Sequence, residues 1–210
     1  MPKRELYLSR YIASFIISTF VFLMFFLIAN SVSYLNYREI SSENNLILQS
    51  ISHFDGVLSE FTCNEGLLID SSDKLDRVAS KLTLLEKRFG KKDSRVLEQK
   101  KLYSELEYRH FNIVEKFNSV CNNSYVTVLF FYSNLNDRES ESERMGFILT
   151  AFEREDADNV MIYSFDYDLN TSVTASLVMT YNVTRVPVAI VNGRDALYVR
   201  NIRELERYLV

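Results

Sequence analysis

The sequence predicts a mixed α/β protein in which an apolar helix and a helical coiled region precede a C-terminal segment of alternating strands and helices. Three observations predict this order. The first stretch is apolar and uncharged, the middle repeats apolar residues at every third or fourth position, and the last contains short runs of β-branched and aromatic residues. The predicted parts are residues 1–10 (N-terminus), 11–35 (transmembrane helix), 36–121 (helical region) and 122–210 (α/β domain).

Composition argues against several classes of protein. Among 210 residues, 24 Lys and Arg stand against 28 Asp and Glu, and the net charge of −4 argues against nucleic acid as a partner. The 2 cysteines and 2 histidines cannot build the usual zinc sites. We therefore expect neither a metal site nor a cofactor.

The N-terminal apolar stretch predicts one membrane-spanning helix. No charged residue lies between Arg10 and Arg38, and about 20 mostly apolar residues match the thickness of a bilayer core. A cleaved signal peptide is the alternative, since Ser31-Val32-Ser33 offers a small-x-small site, but its apolar region would be shorter, about 7–15 residues.

The flanking charges predict the orientation of this helix. Lys3, Arg4 and Arg10 precede it, whereas Arg38 is followed by the acidic Glu39 and Glu43. Because basic flanks stay in the cytoplasm, we expect a single-pass cell-membrane protein with a cytoplasmic N-terminus and an extracytoplasmic remainder.

The middle region predicts three helices, at about 38–62, 72–89 and 93–120. Gly90 and Asp93 suit a helix end and the next helix start, and residues 63–66 interrupt the first helix. We expect an up-down-up arrangement, which also leaves open an oligomer formed through this region.

The two cysteines lie at matching positions in this arrangement. Cys63 follows the first helix and Cys121 the third, and two helices that run the same way bring these ends together. An extracytoplasmic location favours a Cys63–Cys121 disulfide. The alternative is a pair of free thiols.

The last segment predicts the order βαβαββα. The predicted strands are 125–132, 159–165, 186–191 and 196–199, with helices around 145–152, at 172–181 and from 202. Every basic residue after Cys121 is arginine, which marks the start of a different segment.

This segment resembles the thioredoxin superfamily in the strands VTVLFFYS and VMIYSFDYD, the phrase YNVTRVPVAIVNGR and the closing helix. The resemblance implies a thioredoxin-like fold with a cis proline at Val186-Pro187, before the third core strand. It also implies that the proline-side groove binds extended polypeptide. The bordering residues would be Glu139, Ser140, Glu141 and Ser142, whose acidic members would favour basic segments.

The segment departs from the family at the first helix start, where redox-active members carry Cys-x-x-Cys. Residues 133–143 contain no cysteine, and Glu139 and Ser142 stand at the two positions. Thiol–disulfide exchange requires a thiolate, so we expect a redox-inactive domain that binds polypeptide or acts as a scaffold in the cell envelope, with another envelope protein as partner.

Three other interpretations stay open. One is a thiol oxidoreductase that uses Cys63 and Cys121 or a partner's cysteines. Another is a structural spacer, and in the third Pro187 only fixes a turn. We expect no catalytic residues otherwise, because GxSxG, Walker A and HExxH motifs are absent. Asn122, Asn170 and Asn182 each begin an acceptor triplet for N-glycosylation.

Overall fold

The computed structural model describes the backbone of residues 3–135 and 137–209, and the side chains of 8–31, 44–135 and 137–209. The helices are α1 (Lys3–Ser59), α2 (Glu65–Phe89), α3 (Ser94–Val120), α4 (Glu139–Glu155), α5 (Ser172–Thr180) and α6 (Arg203–Glu206). The strands are β1 (Val126–Tyr132), β2 (Val160–Asp166), β3 (Val188–Val191) and β4 (Asp195–Leu197). The chain divides into two units, Met1–Glu43 and Asn44–Val210.

The first unit contains the apolar stretch Leu8–Ser31, whose mean hydropathy is 2.6. By length and composition it can cross a membrane. Ser18, Asn30 and Ser31 each donate to the carbonyl four residues earlier, which satisfies polar groups in an apolar segment. The flanking charges that predict orientation, apart from Arg10, lie outside the described side chains. They are Lys3, Arg4, Arg38, Glu39 and Glu43.

Three helices of the second unit run up, down and up. Contacts between α1 and α3 keep the same order along both helices, whereas those between α2 and α3 run in opposite order. The α1–α3 contacts are Asn44 with Gln99, Asp55 with Arg109 (2.8 Å) and the Leu58 carbonyl with Lys116 (2.9 Å). The α2–α3 contacts are Ser72 with His110 (3.1 Å) and Glu86 with Lys100 (2.7 Å).

Helix α2 begins at Glu65, earlier than the predicted start near residue 72. The Asn64 side chain accepts a hydrogen bond from the Gly66 N–H at 3.0 Å, which caps the first turn. The other end fits the sequence pattern, because Gly90, with φ of 93°, ends α2, and Asp93 caps α3.

The four strands form one mixed sheet in the order β2-β1-β3-β4. Strands β1 and β2 are parallel, from Val126 opposite Val160 to Tyr132 opposite Asp166. Strand β3 is antiparallel to both β1 and β4. It begins at Val188 rather than at residue 186, since Pro187 has no N–H to donate to a neighbouring strand. The mixed α/β class and the order βαβαββα are therefore as the sequence predicts.

Alternate strand residues pack into two hydrophobic clusters on opposite faces of the sheet. On one face, Val128, Phe130, Ala189 and Val191 share a cluster with residues of α4 and α6. On the other, a single cluster joins the sheet with α5 and with helices α1, α2 and α3. Its members include Phe54, Leu75, Phe117, Leu129, Phe131, Tyr163, Leu177 and Ile190. The predicted boundary at residues 121 and 122 thus falls inside one compact unit.

A Cys63–Cys121 disulfide is present in the structure, with its Cα atoms 5.6 Å apart. It joins the loop after α1 to the residue that ends α3. Two hydrogen bonds span Cys121. The Asn118 side-chain amide donates to the Tyr125 carbonyl and accepts from the Tyr125 N–H, each at 2.9 Å. These bonds fix the path of the chain from α3 into β1.

Candidate functional site

The loop between β1 and α4 is held by serine hydroxyl groups. Ser142 is buried, and its Oγ accepts from the Ser133 N–H at 3.1 Å. The Ser133 hydroxyl accepts from the Leu135 N–H at 3.1 Å and donates to Asp168 at 2.5 Å. The described part of this loop is therefore tied down by its own hydrogen bonds.

The acidic start of α4 is paired with a lysine from the turn between α2 and α3. Lys91 Nζ lies 2.6 Å from Glu143 and 3.7 Å from Glu139. The hydrogen bond with Glu143 raises the pKa of Lys91, while partial burial opposes this. Ser140 and Glu141 are exposed. The chain's own cation thus reduces the negative charge that the sequence predicts for this edge.

Val186 and Pro187 are joined by a cis peptide bond, and both residues are buried. Neither backbone polar group of Val186 hydrogen-bonds to another described residue. A cavity of about 250 Å³ at the start of α4 is lined by Glu139 and Ser142. Val186 and Pro187 are not among its lining residues, so the structure brings only part of the predicted set into one cavity.

The disulfide lies far from this cavity. Lys91 precedes α3 and lies against α4, whereas Cys121 is the residue after the last turn of α3. A helix of 27 residues is about 40 Å long at its usual rise. The cysteines therefore cannot act at the start of α4 without a large rearrangement.

Glu107 of α3 is a buried carboxyl group that the sequence pattern does not reveal. It is 2% exposed, and its Oε1 accepts from the Ser164 N–H of β2 at 2.9 Å. Its Oε2 has no hydrogen-bond partner. Burial raises the pKa of Glu107 to about 8, against smaller lowering effects of the Ser164 N–H and the Tyr103 hydroxyl. The Tyr103 hydroxyl therefore lies near the carboxyl group but is not hydrogen-bonded to its Oε2.

Lys100 is a second buried ionisable residue on α3. Its Nζ lies 2.7 Å from Glu86 and 3.6 Å from Asp166, and the residue is 4% exposed. Asp166 also accepts from the Asn134 amide at 2.7 Å. This network links α2, α3, the end of β2 and the loop before α4.

His110 connects the helices to the sheet. Its Nδ1 lies 2.8 Å from the Tyr163 hydroxyl and its Nε2 lies 3.1 Å from the Ser72 hydroxyl. Burial lowers the pKa of His110 to about 4, so the ring is neutral at pH 7. Ser72 stands within α2, where the backbone N–H groups are hydrogen-bonded inside the helix and cannot stabilise an oxyanion. The three side chains therefore suit a structural link better than a hydrolase.

Asn122, Asn170 and Asn182 are all exposed, as glycosylation acceptors must be. Asn122 and Asn182 have positive φ values of 58° and 49°. Among the side chains of residues 8–31, 44–135 and 137–209, no group of three His, Cys, Asp or Glu is placed to hold a metal ion.

Comparison of the chain with protein-family models, with curated protein sequences and with solved structures finds no match among any of them.

Proposed function

We propose that this chain is a single-pass membrane protein whose extracytoplasmic, thioredoxin-like segment binds or scaffolds polypeptides in the cell envelope without thiol–disulfide exchange. The sheet order β2-β1-β3-β4, with its parallel β1–β2 pair, supports the thioredoxin-like assignment. The location of Val186-Pro187 directly before β3 also supports it.

The start of α4 is the observation that carries the proposal. Ser133 and Ser142 form its hydrogen bonds, and Lys91 pairs with its carboxylates. Neither group can attack a disulfide, because this reaction needs a thiolate. The chain's two cysteines are bonded to each other at the far end of α3. These facts argue against the oxidoreductase alternative.

The backbone of Val186 supports polypeptide binding. An extended segment can add to unpaired backbone groups much as a strand adds to a sheet. Val186 offers an N–H and a C=O that no described residue uses. Glu139, Ser140, Glu141 and Ser142 would border this segment as the family resemblance implies.

The disulfide supports the extracytoplasmic location, because such bonds persist mainly outside the cytoplasm. We expect protease added outside intact cells or spheroplasts to digest the second unit. Complete protection that is lost only on lysis would contradict the orientation.

The full chain in nanodiscs tests the function. We expect no dithiol-dependent reduction of insulin, since the α4 start has no thiol. With a carboxymethylated, permanently unfolded polypeptide as probe, hydrogen exchange should slow around Val186 and Glu141. A dithiol-dependent activity would instead favour the oxidoreductase.

Protection confined to α1, α2 and α3 would favour a spacer or scaffold. Arg185→Ala and Met179→Ala serve as the matched pair of variants, because both residues are exposed and only Arg185 adjoins Val186. We expect only Arg185→Ala to change the binding of the probe.

A further inference from the structure

The outer edge of β2 pairs with no other strand of the described residues, although its Val160 N–H donates to the Asp156 carbonyl at 3.0 Å. Strand β2 ends the sheet on one side, and the Ser164 N–H points away from β1, because it meets Glu107 of α3. Backbone groups two residues apart in a strand point to the same side, so those of Ile162 face this edge too. No described residue outside the sheet bonds to the backbone of Ile162. An edge of this kind is a template for another strand.

Open space runs along this edge. Cavities of about 280 and 300 Å³ share the residues Asp76, Glu153 and Ile162. A third, of about 420 Å³, adjoins them at Glu153, Ile162 and Ser164. We call this space the β2 groove and define it by Asp76 of α2, Glu107 of α3, Glu153 of α4, and Ile162 and Ser164 of β2. An extended segment would lie between α2 and the strand edge.

The groove is rich in negative charge. Asp76 is exposed, yet partial loss of hydration raises its pKa, and the nearby charge of Asp73 adds to the effect. Burial likewise raises the pKa of Glu153, with a further contribution from Asp76 and an opposing one from Arg154. Two lysines also line these cavities, and both are engaged by other carboxylates. Glu86 and Asp166 engage Lys100, and Glu139 and Glu143 engage Lys91. A cation brought by a partner would relieve the repulsion between Asp76 and Glu153.

Glu107 adds an independent indication of a ligand. It is 2% exposed, it lines the 300 Å³ cavity, and its Oε2 is unpartnered. Such a group is costly to bury unless it has a partner. As a neutral carboxyl group, its O–H can donate to a backbone carbonyl.

We infer that the β2 groove binds a short extended polypeptide segment that carries a lysine or arginine side chain. The segment's backbone pairs with Ile162, its basic side chain lies between Asp76 and Glu153, and one of its carbonyls accepts from Glu107. This inference goes beyond the proposed function, because it uses the opposite side of β1 from β3 and Val186 and would hold even if the Val186 edge bound nothing.

The test uses the full chain in nanodiscs and three fluorescent pentapeptides. The first is acetyl-Thr-Val-Lys-Val-Thr-amide, the second carries glutamate at the centre, and the third is the lysine peptide with N-methylated central amides. We expect the lysine peptide to bind, and the other two peptides to bind at least about tenfold more weakly. The glutamate peptide loses the charge match, and the N-methylated peptide loses the backbone pairing.

Two isosteric variants give the matched comparison. Asp76→Asn with Glu153→Gln removes the groove's two carboxylates, and we expect it to weaken binding of the lysine peptide about tenfold. Glu65→Gln with Glu206→Gln removes two exposed carboxylates elsewhere and should leave the affinity unchanged. Relief of repulsion should let the groove variant fold normally, which circular dichroism checks.

Hydrogen exchange separates this inference from the proposed function. Slowing at Ile162 supports the β2 groove, whereas slowing only at Val186 supports the other edge and contradicts the groove. The inference would also be contradicted if the glutamate peptide or the N-methylated peptide bound as tightly as the lysine peptide. So would sedimentation showing that the chain dimerises through the groove and that the lysine peptide cannot displace the second copy.

Discussion

Replacing Cys63 with serine is expected to lower the free energy of unfolding by about 2–5 kcal/mol. The bond closes a loop with a sequence separation of 58 residues, so its loss gives the unfolded chain much more conformational freedom. It also releases the loop after α1 from the end of α3, although hydrogen bonds and the hydrophobic cluster still join the two helices.

Urea unfolding of the full chain in mild detergent measures this loss. Cys121→Ser and the double variant should give the same value as Cys63→Ser, because each removes the same bond. Ser119→Ala, an exposed change on the last turn of α3, is the control and should have a small effect. Linked peptides should appear in mass spectrometry of unreduced protein, and ready alkylation of both thiols without reductant would contradict the prediction.

Replacing Glu107 with glutamine is expected to flatten the dependence of stability on pH. The pKa of Glu107 is raised from 4.5 to about 8 in the folded chain, so the unfolded chain gives up this proton more readily. The contribution of Glu107 is therefore most favourable below about pH 4.5 and is lost as pH rises towards 8. The variant keeps an oxygen that can accept from the Ser164 N–H.

Urea unfolding at pH 5, 6, 7 and 8 measures the difference between the two chains. Relative to the unchanged chain, we expect the free energy of unfolding of the glutamine variant to rise by about 1.4 kcal/mol for each pH unit between 5 and 7, and by less between 7 and 8, where the folded-state pKa is reached. Taking this difference cancels the contribution of His110. Because the pKa of His110 is lowered, its contribution to stability rises with pH below 6.5, opposite to that of Glu107. Glu98→Gln, on the exposed side of the same helix, is the matched control. Parallel profiles for the chain and its Glu107 variant would show that this carboxyl group is not buried in the folded state.

The strands were predictable because their residue types are those typical of buried strands. Residues 126–131 are all β-branched or aromatic except Leu129, and β1 is buried along this whole length inside the sheet. The ends were less predictable, since they depend on single contacts. Asn64 extends α2 backwards by one capping bond, and Pro187 shortens β3 by a missing donor.

The buried charges were not predictable from a single apolar stripe. Leu106, His110, Ile113 and Phe117 mark one face of α3, and this face alone gives the expected amphipathic pattern. A second buried face of α3 contains Glu107, Phe111 and Val114. The sequence shows this face only if α3 is assumed to pack against other elements on both sides. The partner of Glu107 is the backbone of Ser164, and no periodicity in the sequence identifies a contact over that separation.

The hydrophobic cluster common to α3 and the sheet has a consequence for biosynthesis. The helices leave the ribosome first, yet side chains such as Ile113 and Phe117 belong to a cluster completed only by Leu129, Tyr163 and Ile190. Until β1, β2 and β3 are translated, those helical side chains stay accessible to chaperones and proteases. A chain truncated by a stop codon after residue 121 would therefore lack part of its hydrophobic core. We expect cells to degrade this fragment rather than accumulate it.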